Sequence, residues 1–395
     1  MSISIRPAET VDIPGIVALI TDRIGEEDAP EARLVLEDPQ YDRTRWTVAV
    51  DGDKVVSTMG TYPMLASFGI CEIPAALVEF VATDTAYEGQ GLVRRQFAYH
   101  QADLARRGEL FEVMVGITYF YRRLGYEYAL PVAPWQTIPG DEIPQMPEGW
   151  SLRIATEADQ ATILQLQRPV ADVVDFAVSL SPQMWSFVLR SPVYETFVAE
   201  RDGTPQACGR IYIDGDDPFL MDLSGESRDA LLAVVAGAAT RKPDSDLMIL
   251  TRPGASPNLD DLGSLDRDGQ AYYARVGDPV RWLNAVRPEL SRRLRASSLA
   301  GAEGEAMISL YASSIRFSYA DGEVGEFVAG TREQAPISKG GSGVPPDVIT
   351  ALLIGPDGFS GLAQRYPDVM GGKQEELMNI LFPPLSIDVQ SWVIP

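Results

Sequence analysis

The chain has 395 residues, 45% of them hydrophobic, and its 33 Lys and Arg against 56 Asp and Glu give a formal net charge of -23 at pH 7. A surface this acidic repels nucleic acids and anionic membranes and attracts cationic partners such as amines. Two cysteines and one histidine exclude a disulfide framework and a histidine metal site, so no metal is expected. The amino terminus lacks the basic and apolar regions of a signal peptide, which predicts a cytoplasmic protein.

The first two thirds of the chain contain a weak internal repeat. Residues 4–19 align without gaps on residues 151–166, and each copy has the pattern of a short strand followed by an amphipathic helix. Residues 47–60 similarly resemble residues 197–209, with a strand, an Asp-Gly turn and a second strand. Two features that recur in the same order indicate a duplicated α/β unit.

The segment 77–108 carries the motif with the clearest chemistry. Residues 77–83 predict a central strand, residues 86–91 a glycine-containing loop, and a helix is expected from Leu92 to a stop at Gly108. Free backbone N–H groups at such a helix start can bind a phosphate, although a structural turn explains the glycines about as well. Arg94 and Arg95 lie in the first helical turn, where an anionic ligand or simple solvation would account for them.

A strand over residues 110–115 and the run GITYFYRRLGYEYA, 116–129, follow this motif. With these elements the chain resembles the GCN5-related N-acetyltransferase (GNAT) superfamily, and its G-L-x-R continuation resembles the Eis-like branch. The resemblance implies that Tyr121 protonates the leaving CoA thiolate; the alternative is a packing role for this ring. It also implies that the pantetheine arm of acetyl-CoA pairs with one strand and that its pyrophosphate lies on the loop, through Val81, Ala82, Thr83, Gly89, Gln90, Gly91, Leu92, Val93 and Arg94. Glu88 departs from the Arg or Gln of the superfamily pattern.

The Eis-like branch also implies the organisation of the whole chain. We expect a catalytic GNAT domain over residues 1–140, a degenerate second GNAT domain over 141–277 and a sterol-carrier-like α+β domain over 278–395. The fold class is then mixed α/β, or α+β, in which two tandem GNAT-like domains have mixed, mostly antiparallel sheets flanked by helices. The second copy has no glycine-rich loop at residues 220–232, so CoA is not expected there. The resemblance further implies a homo-oligomer.

The proton acceptor is left with two candidates. Glu79 lies in the predicted strand 77–83, where many GNAT enzymes have a carboxylate. In the Eis-like branch the C-terminal carboxylate enters the active site instead, and the matching group here belongs to Pro395. For the acceptor, Glu26 and Glu27 either hold a cationic amine or are solvated surface, and Trp46 either lines the pocket or packs in the core.

These observations predict an acetyl-CoA-dependent N-acetyltransferase. The acceptor would be a primary amine of a small or polycationic molecule, such as an aminoglycoside, a polyamine or a lysine side chain, and it would attack acetyl-CoA directly in a ternary complex. The alternative is a catalytically weak or inactive GNAT-fold protein that binds a ligand or acts as a scaffold. That hypothesis draws on Glu88, on the bulky Val93 and on the carrier-like third domain.

Overall fold

A computed structural model describes residues 3–213, 218–253, 259–266 and 270–390. Over these ranges the chain forms three β-sheets with helices packed against them. The mixed α/β class expected from the sequence is confirmed. Within the described ranges, no helix is both long enough and apolar enough to cross a membrane.

The first unit begins with a strand and a helical hairpin and continues into the long strands of the first sheet. Its elements are β1 (Ser4–Pro7), α1 (Ile13–Arg23), α2 (Asp28–Glu37), β2 (Trp46–Asp51), β3 (Lys54–Phe68), β4 (Cys71–Thr83), α3 (Leu92–Arg107), β5 (Phe111–Met114) and β6 (Glu127–Pro131).

The second unit repeats this order with shorter strands. Its elements are β7 (Trp135–Ile138), β8 (Trp150–Ile154), α4 (Gln160–Asp172), β9 (Phe176–Leu180), α5 (Pro182–Arg190), β10 (Tyr194–Arg201), β11 (Thr204–Ile213), β12 (Pro218–Gly225), α6 (Arg228–Ala239), β13 (Leu247–Leu250), β14 (Ser264–Asp266) and β15 (Ala271–Val276).

The third unit is an α+β segment. Its elements are α7 (Pro279–Arg295), β16 (Gly304–Ser309), β17 (Ser314–Ala320), β18 (Glu323–Val324), β19 (Val328–Gly330), β20 (Ser342–Gly343), α8 (Ile349–Ile354), α9 (Gly358–Arg365), α10 (Glu375–Leu381) and β21 (Ile387–Val389).

The two repeat copies fold alike. The order β1-β2-β3-β4-β5 in the first sheet is matched by β8-β10-β11-β12-β13 in the second. Arg6 binds Asp12 at 2.6 Å in the first copy, and Arg153 binds Asp159 at 2.6 Å in the second. In both copies the aspartate also accepts a backbone N–H at the start of the helix that follows. These paired residues are those that recur in register in the sequence.

The sheets do not follow the boundaries expected at residues 140 and 277. Strand β15 lies between β5 and β6 in the first sheet, whereas β7 lies between β13 and β14 in the second. Strands β9 and β21 also join the first sheet, because β9 pairs with the second half of β3 and β21 pairs with β9. The units are therefore bound to one another through backbone hydrogen bonds.

The third unit packs its first helix against the first sheet. Trp282 of α7 is fully buried, and its ring lies 5.0 Å from that of Phe68 at the end of β3. The small third sheet, with the order β18-β17-β16-β20 and β19 beside β17, covers the other side of α7. A buried Trp and an amphipathic helix explain why these residues form a shared core rather than a tethered domain. The sterol-carrier-like assignment stays a prediction.

Candidate functional site

The first sheet opens between β4 and β5. These parallel strands pair only from Ala75 to Leu77 of β4, while β4 runs on to Thr83. A bulge accompanies the opening, because Thr58 of β3 is opposite Ala82 but Gly60 is opposite Glu79. Beyond Leu77, the side of β4 that faces β5 therefore presents backbone groups without a strand partner in the described part of the chain.

Phe80 occupies the bulge with a φ of 54°, in the left-handed region. For a residue other than glycine this conformation costs about 1–2 kcal/mol. The ring is held by packing, since it stacks on Trp46 with the ring centroids 5.5 Å apart. Trp46 is fully buried and its indole N–H donates to the Thr58 hydroxyl. Of the two roles expected for Trp46, the structure shows the packing role, and its position beneath the bulge explains why a tryptophan is needed there.

A cleft of about 630 Å³ lies at this opening. It is lined by eight of the nine residues expected to bind acetyl-CoA, all except Gln90, and by Tyr121. The other lining residues are Arg23, Tyr87, Glu88, Ile117, Phe120, Arg123 and Leu124. Segments that are more than 20 residues apart in the sequence therefore meet in one cavity.

The start of helix α3 is arranged for an anion. Gly89 and Gly91 both have a φ of 73°, and Gly91 is the N-cap residue. Within the described residues no side chain caps this helix, and its first turn contains no acidic residue. The first backbone N–H groups and the positive end of the helix dipole are therefore directed at the cleft, where a phosphate would satisfy them.

The second unit has the same bulge but a different helix start. Cys208 is opposite Ser224 and Arg210 opposite Met221, and Asp222 in the bulge has a φ of 55°. Here Ser227 caps helix α6 by accepting the N–H of Ala230, and Asp229 lies in the first turn. A helix start that is already capped and carries a negative charge does not attract a phosphate.

Side chains of the chain itself also bind the bulge of the second unit. Gln167 donates to the carbonyl of Asp222 at 2.6 Å, and Gln390 donates to its carboxylate at 3.2 Å. Arg252 donates to Gln167 and to Asp388 of β21. The carbonyl and the carboxylate of Asp222 are therefore already engaged by side chains of the chain itself.

Tyr121 begins a short 3₁₀ helix, Tyr121–Leu124, at the edge of the cleft. Its side chain is 3% exposed, and the ring packs against Phe97, Tyr126 and Tyr273. Burial, followed by the nearby Glu79 carboxylate, raises the pKa of Tyr121 above its ordinary value. The phenol is therefore protonated at neutral pH and can serve as a proton donor.

The ring of Tyr121 requires a glycine beside it. A Cβ on Gly116 would lie 2.3 Å from Cε2 of Tyr121, so any larger residue must displace the ring. We expect Gly116→Ala to lower kcat about tenfold or more, because a shift of ~1 Å in a reacting group can cost that much. CoA affinity measured by calorimetry should change little. Gly301→Ala, where an added Cβ meets nothing within 4 Å, is the matched control. An unchanged kcat for Gly116→Ala would contradict the role of the ring position.

Glu79 is half-buried on β4, directly before the bulge. Its Oε1 is buried and has no hydrogen-bond partner among the described residues. Burial, and to a lesser degree the Asp28 carboxylate, raises the pKa of Glu79 to about 8. A carboxylate with this pKa can accept a proton near neutral pH. The negative charge of Glu79 is also one of the causes of the raised pKa of Tyr121.

The acidic run before α2 is divided by the fold. Glu26 and Glu27 are exposed in the turn, whereas Asp28 is half-buried and acts on Glu79. Burial and the neighbouring Glu27 raise the pKa of Asp28 above its usual range. The two glutamates expected to bind the acceptor therefore lie at the surface, and the third residue of the run is the one that faces the site.

Two further residues near Asp28 and Glu79 could not be identified from the sequence. Glu31 lies one turn after Asp28 on α2, is 3% exposed and accepts the hydroxyl of Ser191. Tyr194, from β10 of the second unit, is buried close enough to Asp28, Glu31 and Glu79 for all three to influence its pKa, which burial raises above the ordinary value. We name these four electrostatically linked residues the acceptor wall: Asp28, Glu31, Glu79 and Tyr194. No local sequence pattern shows that β10 contributes to the first unit.

Pro395 lies outside the described residues. The last described residue, Gln390, donates its N–H to the carbonyl of Val178 at 2.8 Å. Within the described ranges, no group of three or more His, Cys, Asp or Glu could hold a metal ion.

Residues 4–129 match the family model described as an acetyltransferase (GNAT) domain. The first unit thus matches an acetyltransferase (GNAT) domain from β1 into β6. No curated protein matches the chain significantly.

Solved structures share the fold over the whole length. A GCN5-related N-acetyltransferase from Anabaena variabilis ATCC 29413 is 14% identical with a TM-score of 0.72, covering 98% of this chain and 99% of that one. A protein of unknown function from Enterococcus faecalis V583, a probable N-acyltransferase, is 12% identical with a TM-score of 0.73 and full coverage of both chains. Eis1 from Mycobacterium abscessus is 17% identical with a TM-score of 0.61, covering 96% and 97%.

Proposed function

We propose that this chain, with its acetyltransferase domain over residues 4–129, transfers the acetyl group of acetyl-CoA to a primary amine of a small or polycationic acceptor. The single observation that carries the proposal is the pairing of Glu79 and Tyr121. Burial raises the pKa of Glu79 to about 8, and burial together with the nearby Glu79 carboxylate raises the pKa of Tyr121 above its ordinary value.

The cleft accounts for the binding of acetyl-CoA. Its pyrophosphate would accept hydrogen bonds from the free N–H groups at the start of α3, which Gly89 and Gly91 open to the ligand. Its pantetheine amides would pair with the backbone of residues 81–83, on the side of β4 that faces β5 and has no partner strand there in the described part of the chain. The thioester would then lie near the bulge, between Glu79 and Tyr121.

The chemistry needs two proton transfers. The amine nitrogen attacks the thioester carbonyl and forms the new C–N bond, and its proton goes to the Glu79 carboxylate. The C–S bond then breaks, and the thiolate takes the proton of the Tyr121 hydroxyl. The two groups can act together because near pH 8 the Glu79 carboxyl is partly ionised and can accept a proton, while the Tyr121 hydroxyl is protonated and can donate one.

The acceptor wall favours a cationic substrate. Its carboxyl groups, Asp28, Glu31 and Glu79, attract an ammonium group. The ring of Tyr194 already packs against the guanidinium of Arg210, which lies 4.5 Å from the ring centroid. The net charge of -23 also attracts cationic substrates, because it raises the concentration of amines near the protein.

The test is an assay of thiol release from acetyl-CoA with a panel of amines that contains aminoglycosides, polyamines and lysine peptides. Release that depends on one of these amines would support the proposal. No release with any amine, together with no CoA binding by calorimetry, would favour the alternative of a scaffold or ligand-binding protein.

We further propose that the chain forms a homo-oligomer and that residues 278–395 make up a carrier-like unit. Sedimentation velocity would measure the assembly. Extraction and mass spectrometry of copurified lipid would test whether the third unit carries a ligand.

A further inference from the structure

The phosphate loop contains an acidic residue at an unfavourable position. Glu88 directly precedes Gly89 and is the only acid among the described residues that line the cleft. A carboxylate there would repel the pyrophosphate and phosphate groups of CoA. Residues 84–93 contain neither Lys nor Arg, and the nearest cation after them is Arg94 in the first turn of α3. A cation that pairs with Glu88 itself must therefore come from elsewhere in the chain.

Helix α1 provides that cation from elsewhere in the chain. Arg23 is the last residue of α1, and its Nη2 lies 2.8 Å from Oε1 of Glu88. The side chain of Arg23 is 32% exposed, and it lines the same cleft as Gly89, Gly91 and Arg94. The ion pair therefore joins the first helix to the phosphate loop at the mouth of the cleft.

A contribution to folding stability does not explain why the Arg23–Glu88 ion pair lies at the mouth of the cleft. Ion pairs between partly exposed side chains contribute little to folding. A guanidinium carries five N–H donors in a rigid fork, and the contact with Glu88 uses one nitrogen. The remaining N–H donors of Arg23 can bind a phosphate while the Glu88 carboxylate holds the guanidinium in position.

We propose that, in the acetyl-CoA site described above, Arg23 is a phosphate-binding residue that replaces the cation missing from the loop. It neutralises Glu88 and donates hydrogen bonds to a phosphate of CoA. Glu88 in turn fixes the orientation of the guanidinium. The first helix thereby takes part in binding acetyl-CoA, whereas the second helix contributes Asp28 and Glu31 to the acceptor wall.

Calorimetric titration of CoA into the full chain, at low and at high salt, tests the assignment. We expect Arg23→Gln to weaken CoA binding about tenfold or more, since hydrogen bonds to charged groups are strong. The variant Glu88→Gln removes both a negative charge beside the phosphates and the contact that orients Arg23, so it serves as the reference for the double variant. The double variant Arg23→Gln/Glu88→Gln shows whether Arg23 contacts the phosphate or only neutralises Glu88. If Arg23 contacts the phosphate, the double variant should bind CoA several-fold more weakly than Glu88→Gln. Equal affinities of these two variants would overturn the contact.

A truncated substrate shows whether the effect depends on the phosphates. We expect Arg23→Gln to lower kcat/KM for acetyl-CoA through KM, and to leave kcat/KM for S-acetylcysteamine, which has no phosphate, within about twofold of the wild type. Equal losses with both thioesters would overturn the proposal, because they would show general damage to the site. Arg23→Lys should recover part of the affinity for CoA, as a point charge without the fork.

The ion pair between Arg33 and Glu37 on α2 is the matched control, since it is 3.1 Å long and exposed at both ends. Arg33→Gln should leave CoA binding unchanged, and thermal unfolding checks that every variant is folded. If the wild type binds no CoA at all, both this assignment and the proposed function fail. If the wild type binds CoA and Arg23→Gln binds it equally well, only the assignment of Arg23 fails.

Discussion

Glu79→Gln is expected to lower kcat/KM by about a hundredfold to ten-thousandfold at pH 8, the range typical of losing a general base. Glutamine has nearly the same shape but cannot accept the amine proton. The measurement is the rate of thiol release with the best amine of the panel. Glu72→Gln is the matched control, because Glu72 is an exposed glutamate on the same strand. Its rate should remain within about twofold of the wild type.

The role of Glu79 as the base also predicts the direction in which kcat/KM changes with pH. Because the pKa of Glu79 is raised to about 8, kcat/KM of the wild type should increase as pH rises through about 8. Glu79→Gln should lose this rising limb. The stability contribution has the opposite direction: the folded protein favours the protonated carboxyl, so this contribution is present at low pH and is lost as pH rises through about 8.

Retention of both the rate and the rising limb in Glu79→Gln would contradict the base assignment. The carboxylate of Pro395 would then be the remaining candidate. Adding a few residues after Pro395 discriminates between the two, since it should abolish activity only if that carboxylate takes the proton.

Tyr121→Phe is expected to slow thiol release from acetyl-CoA about a hundredfold or more, because the departing thiolate no longer receives a proton from the enzyme. CoA affinity should stay within about threefold of the wild type, since the ring and its packing are retained. The experiment measures steady-state release and, separately, CoA binding by calorimetry. Tyr366→Phe, at an exposed position in the third unit, is the control.

A change of leaving group makes this prediction sharper. An acetyl thioester of an acidic aromatic thiol needs little help to leave, so Tyr121→Phe should be slowed much less with that substrate than with acetyl-CoA. Equal slowing with both thioesters would show that the hydroxyl acts otherwise than as the acid. Full activity of Tyr121→Phe would remove Tyr121 from the mechanism and leave its ring with the packing role only.

The parts of the site that lie on one stretch of chain were predictable. The loop with Gly89 and Gly91, the helix from Leu92 and the segment around Tyr121 are all contiguous, and their spacing reflects backbone geometry that a short sequence specifies. The repeat was visible for the same reason, since a strand, a helix start and an Arg–Asp pair recur within short segments.

Side-chain burial was a weaker inference. Glu26, Glu27 and Asp28 are all acidic, so the sequence does not distinguish them. Only Asp28 is half-buried, because helix α2 begins at this residue. Trp46 could have lined a pocket or filled a core, and the stacked ring of Phe80 decided for the core. Whether such a side chain is buried depends on the residues that pack against it in the folded chain, and composition does not specify these residues.

The sequence by itself determined a duplicated mixed α/β chain with a phosphate-type loop, a tyrosine and a strand glutamate in one segment. Only the tertiary structure decided that β15 and β7 exchange sheets, that Tyr194 of the second unit joins the acceptor wall and that Arg23 meets Glu88 across 65 residues. The physical reason is that local geometry follows from backbone preferences within a few residues. Contacts between distant segments follow from which buried surfaces fit together when the whole chain folds.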